Sequence, residues 1–345
     1  MALLAFLILF PIVVFVHELG HFWAARRNGV KVEAFAIGMG KVIWSRKDKL
    51  GTEWRLCLFP IGGYAQLKGQ VDSARQIKVK NRKKLASDHF ESKTRWQRFS
   101  IFAAGPAFNY AFGFLVFMGL FMTIGTPTTQ LNVAGVVENS PAQIADIREG
   151  DIVVRVNGFD PENISREVRE APQVRLEVLR EGETLEFILV PSEEDGRRRV
   201  GIKYSENVVG YERQGMLSAA WESGDRIWEI TTRTLSFLGE MIVGRRSTSD
   251  LGGIITIAKV GENAMSRGAW RFIYIIAFIS ISLGFFNLLP IPILDGGHLF
   301  ITTIEGIFDR ELPSIVKDVL FFIGFALVVG LMLIANGNDI IRLFR

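Results

Sequence analysis

The 345-residue chain has one cysteine, Cys57, and four histidines. A lone thiol excludes an internal disulfide and any metal cluster built on several cysteines, which leaves packing as its role. No Lys or Arg precedes Arg26. The apolar N-terminal run therefore lacks the basic first region of a secretory leader, and the polar motif within it interrupts any cleavage site, so it is expected to be retained as a membrane helix. There is no long repeat and no low-complexity tract. The one dense basic run, near Arg75–Lys84, is read as a solvated loop that touches anionic headgroups rather than as a nucleic-acid surface.

What the chain does have is apolar sequence. Hydrophobic residues make up 49% and charged residues 22%, and the mean hydropathy is +0.25. That balance suits a few spanning helices joined to polar domains. The expected division is a first transmembrane helix in 1–28, a basic loop with a membrane-associated β element in 29–98 and a second transmembrane helix in 99–125. A small α+β module then occupies 130–206, an amphipathic helix and linker 207–270, a third transmembrane helix 271–297 and a fourth 314–337. The fold class is thus an α-helical polytopic membrane protein with four spans. Residues 26–98 carry 18 Lys and Arg against 6 Asp and Glu, whereas 126–270 carry 17 against 23. The positive-inside rule puts the first loop in the cytoplasm, and the 130–206 module and both termini on the other side.

The first span contains His17-Glu18-Leu19-Gly20-His21. Histidines four apart on a helix face one way and can grip one zinc ion, while the glutamate between them can take a proton from an attacking water. Ionisable groups inside a span are costly and mark function by default. The expectation is a zinc protease that works within the bilayer.

A catalytic zinc needs a third protein ligand. The remaining histidines are His89, in the basic loop, and His298. Asp295, within Asn287-Leu-Leu-Pro-Ile-Pro-Ile-Leu-Asp-Gly-Gly297, is the better candidate. The first and third spans run in the same direction, which brings His17, His21 and Asp295 to one depth at the cytoplasmic end. Pro290 and Pro292 break the helix, and Gly296 and Gly297 are expected to permit a sharp turn after Asp295. Asn287 either steadies the substrate or an oxyanion, or hydrogen-bonds between helices. Asn109, in Gly105-Pro-Ala-Phe-Asn109, is a weaker candidate for polar packing or substrate passage.

Together, HExxH in the first span, GPxxN in the second and NxxPxPxLDGG in the third resemble the site-2 proteases, most of all their bacterial RseP-like branch. The resemblance implies one zinc per chain on His17, His21 and Asp295, with Glu18 catalytic. It also implies regulated proteolysis of single-pass transmembrane proteins, among them anti-sigma factors and signal-peptide remnants, in the bacterial inner membrane.

The period-2 segments of 31–68, separated by glycines, read as strands. In the resembling family this is a hairpin-like element dipping toward the membrane, and its edge could hold a substrate extended by β-augmentation. The pattern Ser140-Pro-Ala, Gly150-Asp-Ile-Val and Val156-Asn-Gly158 resembles a PDZ domain, which could bind a peptide C-terminus. There is room for one such module. Residues 215–244 read as an amphipathic helix lying on the outer bilayer surface. No role follows for Leu251–Ala258 from the sequence.

Overall fold

The computed structural model describes residues 1–70, 85–159, 161, 164, 168, 171–194 and 197–344. The basic run at Arg75–Lys84 lies outside them, as does most of 161–170, a charged stretch of the 130–206 module that reads as a helix. The chain divides into two compact units, one of residues 1–122 and 215–345 and one of residues 123–214.

In the larger unit, four helices are long and apolar enough to cross a membrane. They are α1 (Ala2–Arg27), α2 (Arg95–Thr123), α6 (Ala269–Leu288) and α8 (Ser314–Leu343). Their length matches the ~20 residues that span a hydrocarbon core, and the architecture fits an integral, polytopic membrane protein. The helix α1 ends with Arg26 and Arg27 in its last turn, where cations complement the helix dipole. Its final carbonyls are also served by the Asn28 side chain, which donates to Ala24 O at 2.8 Å.

The described residues of this unit also form the α-helices α4 (Met216–Ile242), α5 (Ile254–Ser266) and α7 (Asp295–Ile307). One face of α4 leaves Leu217, Trp221, Trp228, Leu235 and Ile242 exposed, a stripe at near-heptad spacing. The Leu251–Ala258 segment, opaque in the sequence, forms the entry into α5, and the end of α8 holds it there. Asp339, itself buried, accepts from Thr256 N at 2.9 Å and from the Thr256 hydroxyl, while Asn336 Oδ1 accepts from Ile254 N at 3.2 Å.

Between α1 and α2 lie β1 (Val32–Lys47) and β2 (Glu53–Leu67), a bent pair with several register breaks. Residues 34–37 pair with 63–66 on one side and with 53–56 on the other, and 44–47 pair again with 53–56. The sheet thus runs 44–47, 53–56, 34–37, 63–66, which leaves 63–66 at an edge among the described residues. Its buried face packs Phe35 against Phe22 and Trp54 at ring distances of 5.4 and 4.7 Å. Phe22, Ala25, Val32, Ile101 and Phe102 continue that core onto α1 and α2. A second core joins Ala5, Leu9 and Val13 of α1 to Ala264, Phe272 and Ile276.

The smaller unit holds a five-stranded sheet. Its strands are β3 (Thr126–Val136), β4 (Ile152–Val156), β5 (Val174–Arg180), β6 (Glu183–Leu189) and β9 (Ile202–Glu212), in the order β6-β5-β4-β3-β9; β7 (Ser192–Glu194) and β8 (Arg197–Arg199) form a separate ribbon. The one-turn helix α3 (Pro141–Ile144) opens on Ser140, whose side chain accepts from Gln143 N, as N-caps do. Val133, Val153, Val156, Val174, Leu176, Val178 and Leu189 fill the core. At its margin the buried Asp151 binds Arg180 through two 2.7 Å hydrogen bonds. Burial pushes the Asp151 carboxyl up, but Arg180 and the Arg148 backbone N–H outweigh this and hold it below its ordinary value.

Candidate metal centre

His17 and His21 sit one helical turn apart on α1, so both rings leave the same face. Asp295 comes to them from α7, whereas the sequence pattern puts it at the end of the third span. That span stops at Leu288, because Pro290 and Pro292 cannot continue the ladder. The chain then turns, and Asp295 becomes the first residue of a new helix. Its carboxylate lies in the first turn, where the dipole favours negative charge.

Gly296 and Gly297 are helical here rather than forming a turn. Their lack of a side chain permits close approach instead, since a Cβ on Gly296 would overlap the Leu288 and Leu289 carbonyls. A similar constraint acts across α1 and α2. A methyl on Gly20 would strike the Ala104 carbonyl, and one on Gly105 would strike the His21 Nε2 and the His17 ring. Small residues at a crossing let two helix backbones meet closely, which places the α2 backbone directly behind the imidazoles.

Three atoms that can each serve as a metal ligand converge. His17 Nε2 and His21 Nε2 are 3.3 Å apart, and Asp295 Oδ2 lies 3.1 and 3.3 Å from them. Tetrahedral zinc with ligand bonds of about 2.0–2.1 Å requires ligand atoms roughly 3.3 Å apart. The triangle therefore has the size of one zinc face, and the two-nitrogen, one-oxygen donor set suits that ion. Asp295 Oδ2 is buried without a hydrogen bond of good geometry, as expected of an oxygen reserved for a cation. Among the described residues, this is the group of histidines and carboxylates that could hold a metal.

The far nitrogens of both rings are anchored to α2. His21 Nδ1 is 2.9 Å from Ile101 O, and His17 Nδ1 is 3.2 Å from Asn109 Nδ2. The sequence motif GPxxN marks Asn109 for polar packing or substrate passage, without pointing to the His17 ring.

The triad opens into a cavity of about 590 Å³ that is also lined by Glu18, Asn287, His298 and the edge segment Gly63–Leu67. Glu18 therefore shares the triad's space without belonging to it. Asn287 lies on the same wall, with one amide N–H donated to Leu283 O at 3.0 Å; the nitrogen carries a second hydrogen. His298 stacks on Phe102 at 4.3 Å and stands outside the ligand group. His89 precedes the short turn Phe90–Ser92 and is not among the residues that line this cavity. Gln66 and Gln70 line it too, and no pattern in the sequence singled them out.

The chain matches the model of peptidase family M50 over residues 5–331. It belongs to that family. It is 34% identical to a Rickettsia conorii protein that carries a zinc-metalloprotease name, over 100% of this chain and 99% of the relative. It is 31% identical to metalloprotease MmpA of Caulobacter vibrioides, over 99% and 95%. It is 26% identical to the regulator of sigma E protease of Haemophilus influenzae, over 98% of each. The M50 peptidase is therefore an enzyme of the site-2 protease type, a zinc metalloprotease with apolar helices long enough to span a bilayer.

Proposed function

We propose that this M50 peptidase cuts single-pass membrane proteins within their transmembrane segments, anti-sigma factors and signal-peptide remnants among them. The observation that carries the proposal is the convergence of His17, His21 and Asp295 from two elements of a helical membrane unit, in a cavity shared with Glu18. His17 Nε2, His21 Nε2 and Asp295 Oδ2 would hold one zinc. Zinc supplies Lewis acidity, turning water into a nucleophile near neutral pH and polarising a carbonyl.

The chain's own residues do the rest. Glu18 takes the proton of the attacking water and returns it to the leaving amine. Asn287 steadies the developing oxyanion through its amide N–H. A substrate helix must be extended before a peptide bond can be attacked. The edge segment 63–67 borders the cavity, and main-chain hydrogen bonds along it would hold the substrate as an added strand. The basic 29–98 loop supports a cytoplasmic-side site in the inner membrane. The 123–214 unit would then lie outside the cytoplasm. Its five-stranded sheet and Ser140-capped turn support a PDZ-like module that binds a newly cut C-terminus, and the exposed stripe of α4 supports a helix lying on the outer leaflet.

The test is cleavage of a tagged single-pass substrate with its outer domain trimmed, by wild type and Glu18→Gln in liposomes, with zinc measured on both. Cleavage by wild type alone, with zinc in both, is the expected result. Equal cleavage by both proteins would sink the mechanism.

A further inference from the structure

We infer that Asn109 and Ser280 are positioning residues of the metal centre: together they clamp the Nδ1 side of His17 and so commit its Nε2 to the ion. The inference rests on the zinc-peptidase reading above. Asn109 and Ser280 are both fully buried, on α2 and α6. Burying an amide and a hydroxyl among apolar helices is costly unless both are hydrogen-bonded, and what they bond is informative. The Asn109 side chain meets His17 Nδ1 at 3.2 Å, and the Ser280 hydroxyl reaches the Asn109 main-chain oxygen at 3.2 Å and Oδ1 at 3.3 Å. Three helices thus meet in one relay, α1 through His17, α2 through Asn109 and α6 through Ser280.

An imidazole can offer Nε2 to a metal only when that nitrogen is bare, which places the ring proton on Nδ1. A partner that accepts from Nδ1–H selects this tautomer and fixes the ring plane, as outer-shell partners of metal-bound histidines do. For His21 the partner is a main-chain carbonyl, Ile101 O. For His17 it is a carboxamide, which can present either end. With Nδ2 toward the ring, Asn109 donates to Nδ1, and the ring proton sits on Nε2. A half-turn about Cβ–Cγ presents Oδ1 instead, which accepts from Nδ1–H and bares Nε2. Ser280 suits both settings, because a hydroxyl both donates and accepts. It donates to Asn109 O throughout and accepts from Nδ2 after the turn. A leucine would fill the same volume but could serve neither setting.

The test uses the full chain in detergent, with zinc affinity read by competition against a chromophoric chelator and ligand geometry by the Co²⁺ absorption spectrum. Asn109→Leu is expected to bind zinc about 10–100-fold more weakly, the usual cost of losing an outer-shell partner, with altered Co²⁺ bands. Asn109→Asp, whose carboxylate accepts from Nδ1–H, should hold zinc at least as tightly as wild type. Ser280→Ala should weaken binding by less than Asn109→Leu does. Wild-type affinity and spectrum in Asn109→Leu, or equal loss in the Leu and Asp variants, would overturn the inference. Should Asn109→Leu fail to fold, unchanged affinity in Ser280→Ala would overturn it instead. A wild type that takes up no zinc would refute the metallopeptidase reading itself, and this inference with it.

Discussion

His17 Nε2 and Asp295 Oδ2 lie 3.1 Å apart, although one belongs to α1 and the other opens α7, more than 270 residues further on. Neither element alone offers a third ligand. Asp295→Ala should therefore lose zinc by more than the ~100-fold that an outer-shell partner is worth, and cleavage should fall with it. Zinc analysis of the purified variant after dialysis checks this. A variant that keeps one zinc per chain would remove Asp295 from the ligand set.

Gly105→Ala should disable the enzyme without touching a chemical group. The added methyl overlaps His21 Nε2 and the His17 ring, so the rings must shift or α2 must back away. A displacement of about 1 Å in a catalytic constellation can cost on the order of 100-fold in rate. Turnover of the single-pass substrate measures the loss, and a folded Gly105→Ala protein with wild-type turnover would contradict the close crossing.

The tip of the β1–β2 hairpin should loosen in acid. Asp48 accepts from Trp54 Nε1 at 3.2 Å, from Thr52 N at 3.0 Å and from Leu50 N at 2.9 Å, and it pairs with Arg26. Burial raises its carboxyl, but Arg26, Trp54 and the two backbone donors prevail and lower it from 3.8 to about 2. A folded value below the unfolded one means that the stabilisation is complete above the unfolded value and is lost as pH falls through about 2. A fluorine-labelled tryptophan at position 54 should report a transition there in its ¹⁹F shift, and Asp48→Asn should abolish it.

Asp339→Ala should free the entry into α5. The lost acceptor served the Thr256 backbone and hydroxyl, and removing such a helix cap costs about 1 kcal/mol. Deuterium uptake across residues 251–258 should rise while zinc content stays unchanged. Unaltered protection there would show that Asn336, which accepts from Ile254 N, suffices.

Much of the site was legible because its chemistry is local. His17, Glu18 and His21 announce themselves by spacing on one helix, and Asp295 by the glycines and prolines around it. What the sequence could not convey was the route between them. The third span ends at Leu288, and the carboxylate arrives on a separate helix, because a proline-broken segment can re-enter helix in any direction that its neighbours allow. Gly296 and Gly297 invited a turn, whereas their task is contact with the Leu288–Pro292 backbone. The roles of Asn109 and of the 63–66 edge depend on pairings between distant segments, which no local period encodes. The same holds for Leu251–Ala258, whose partners Asn336 and Asp339 lie more than 80 residues further on.

The separation of the ligands along the chain also sets a schedule. The histidine pair is made within the first 21 residues, but Asp295 follows only after both strands of the hairpin, the whole 123–214 unit and α6. If these three residues are the ligands, as proposed above, a nascent chain carries two of them and no third throughout most of its synthesis. On that ligand set, a ribosome building this protease is handling a disarmed molecule, which becomes active only when the chain is nearly finished.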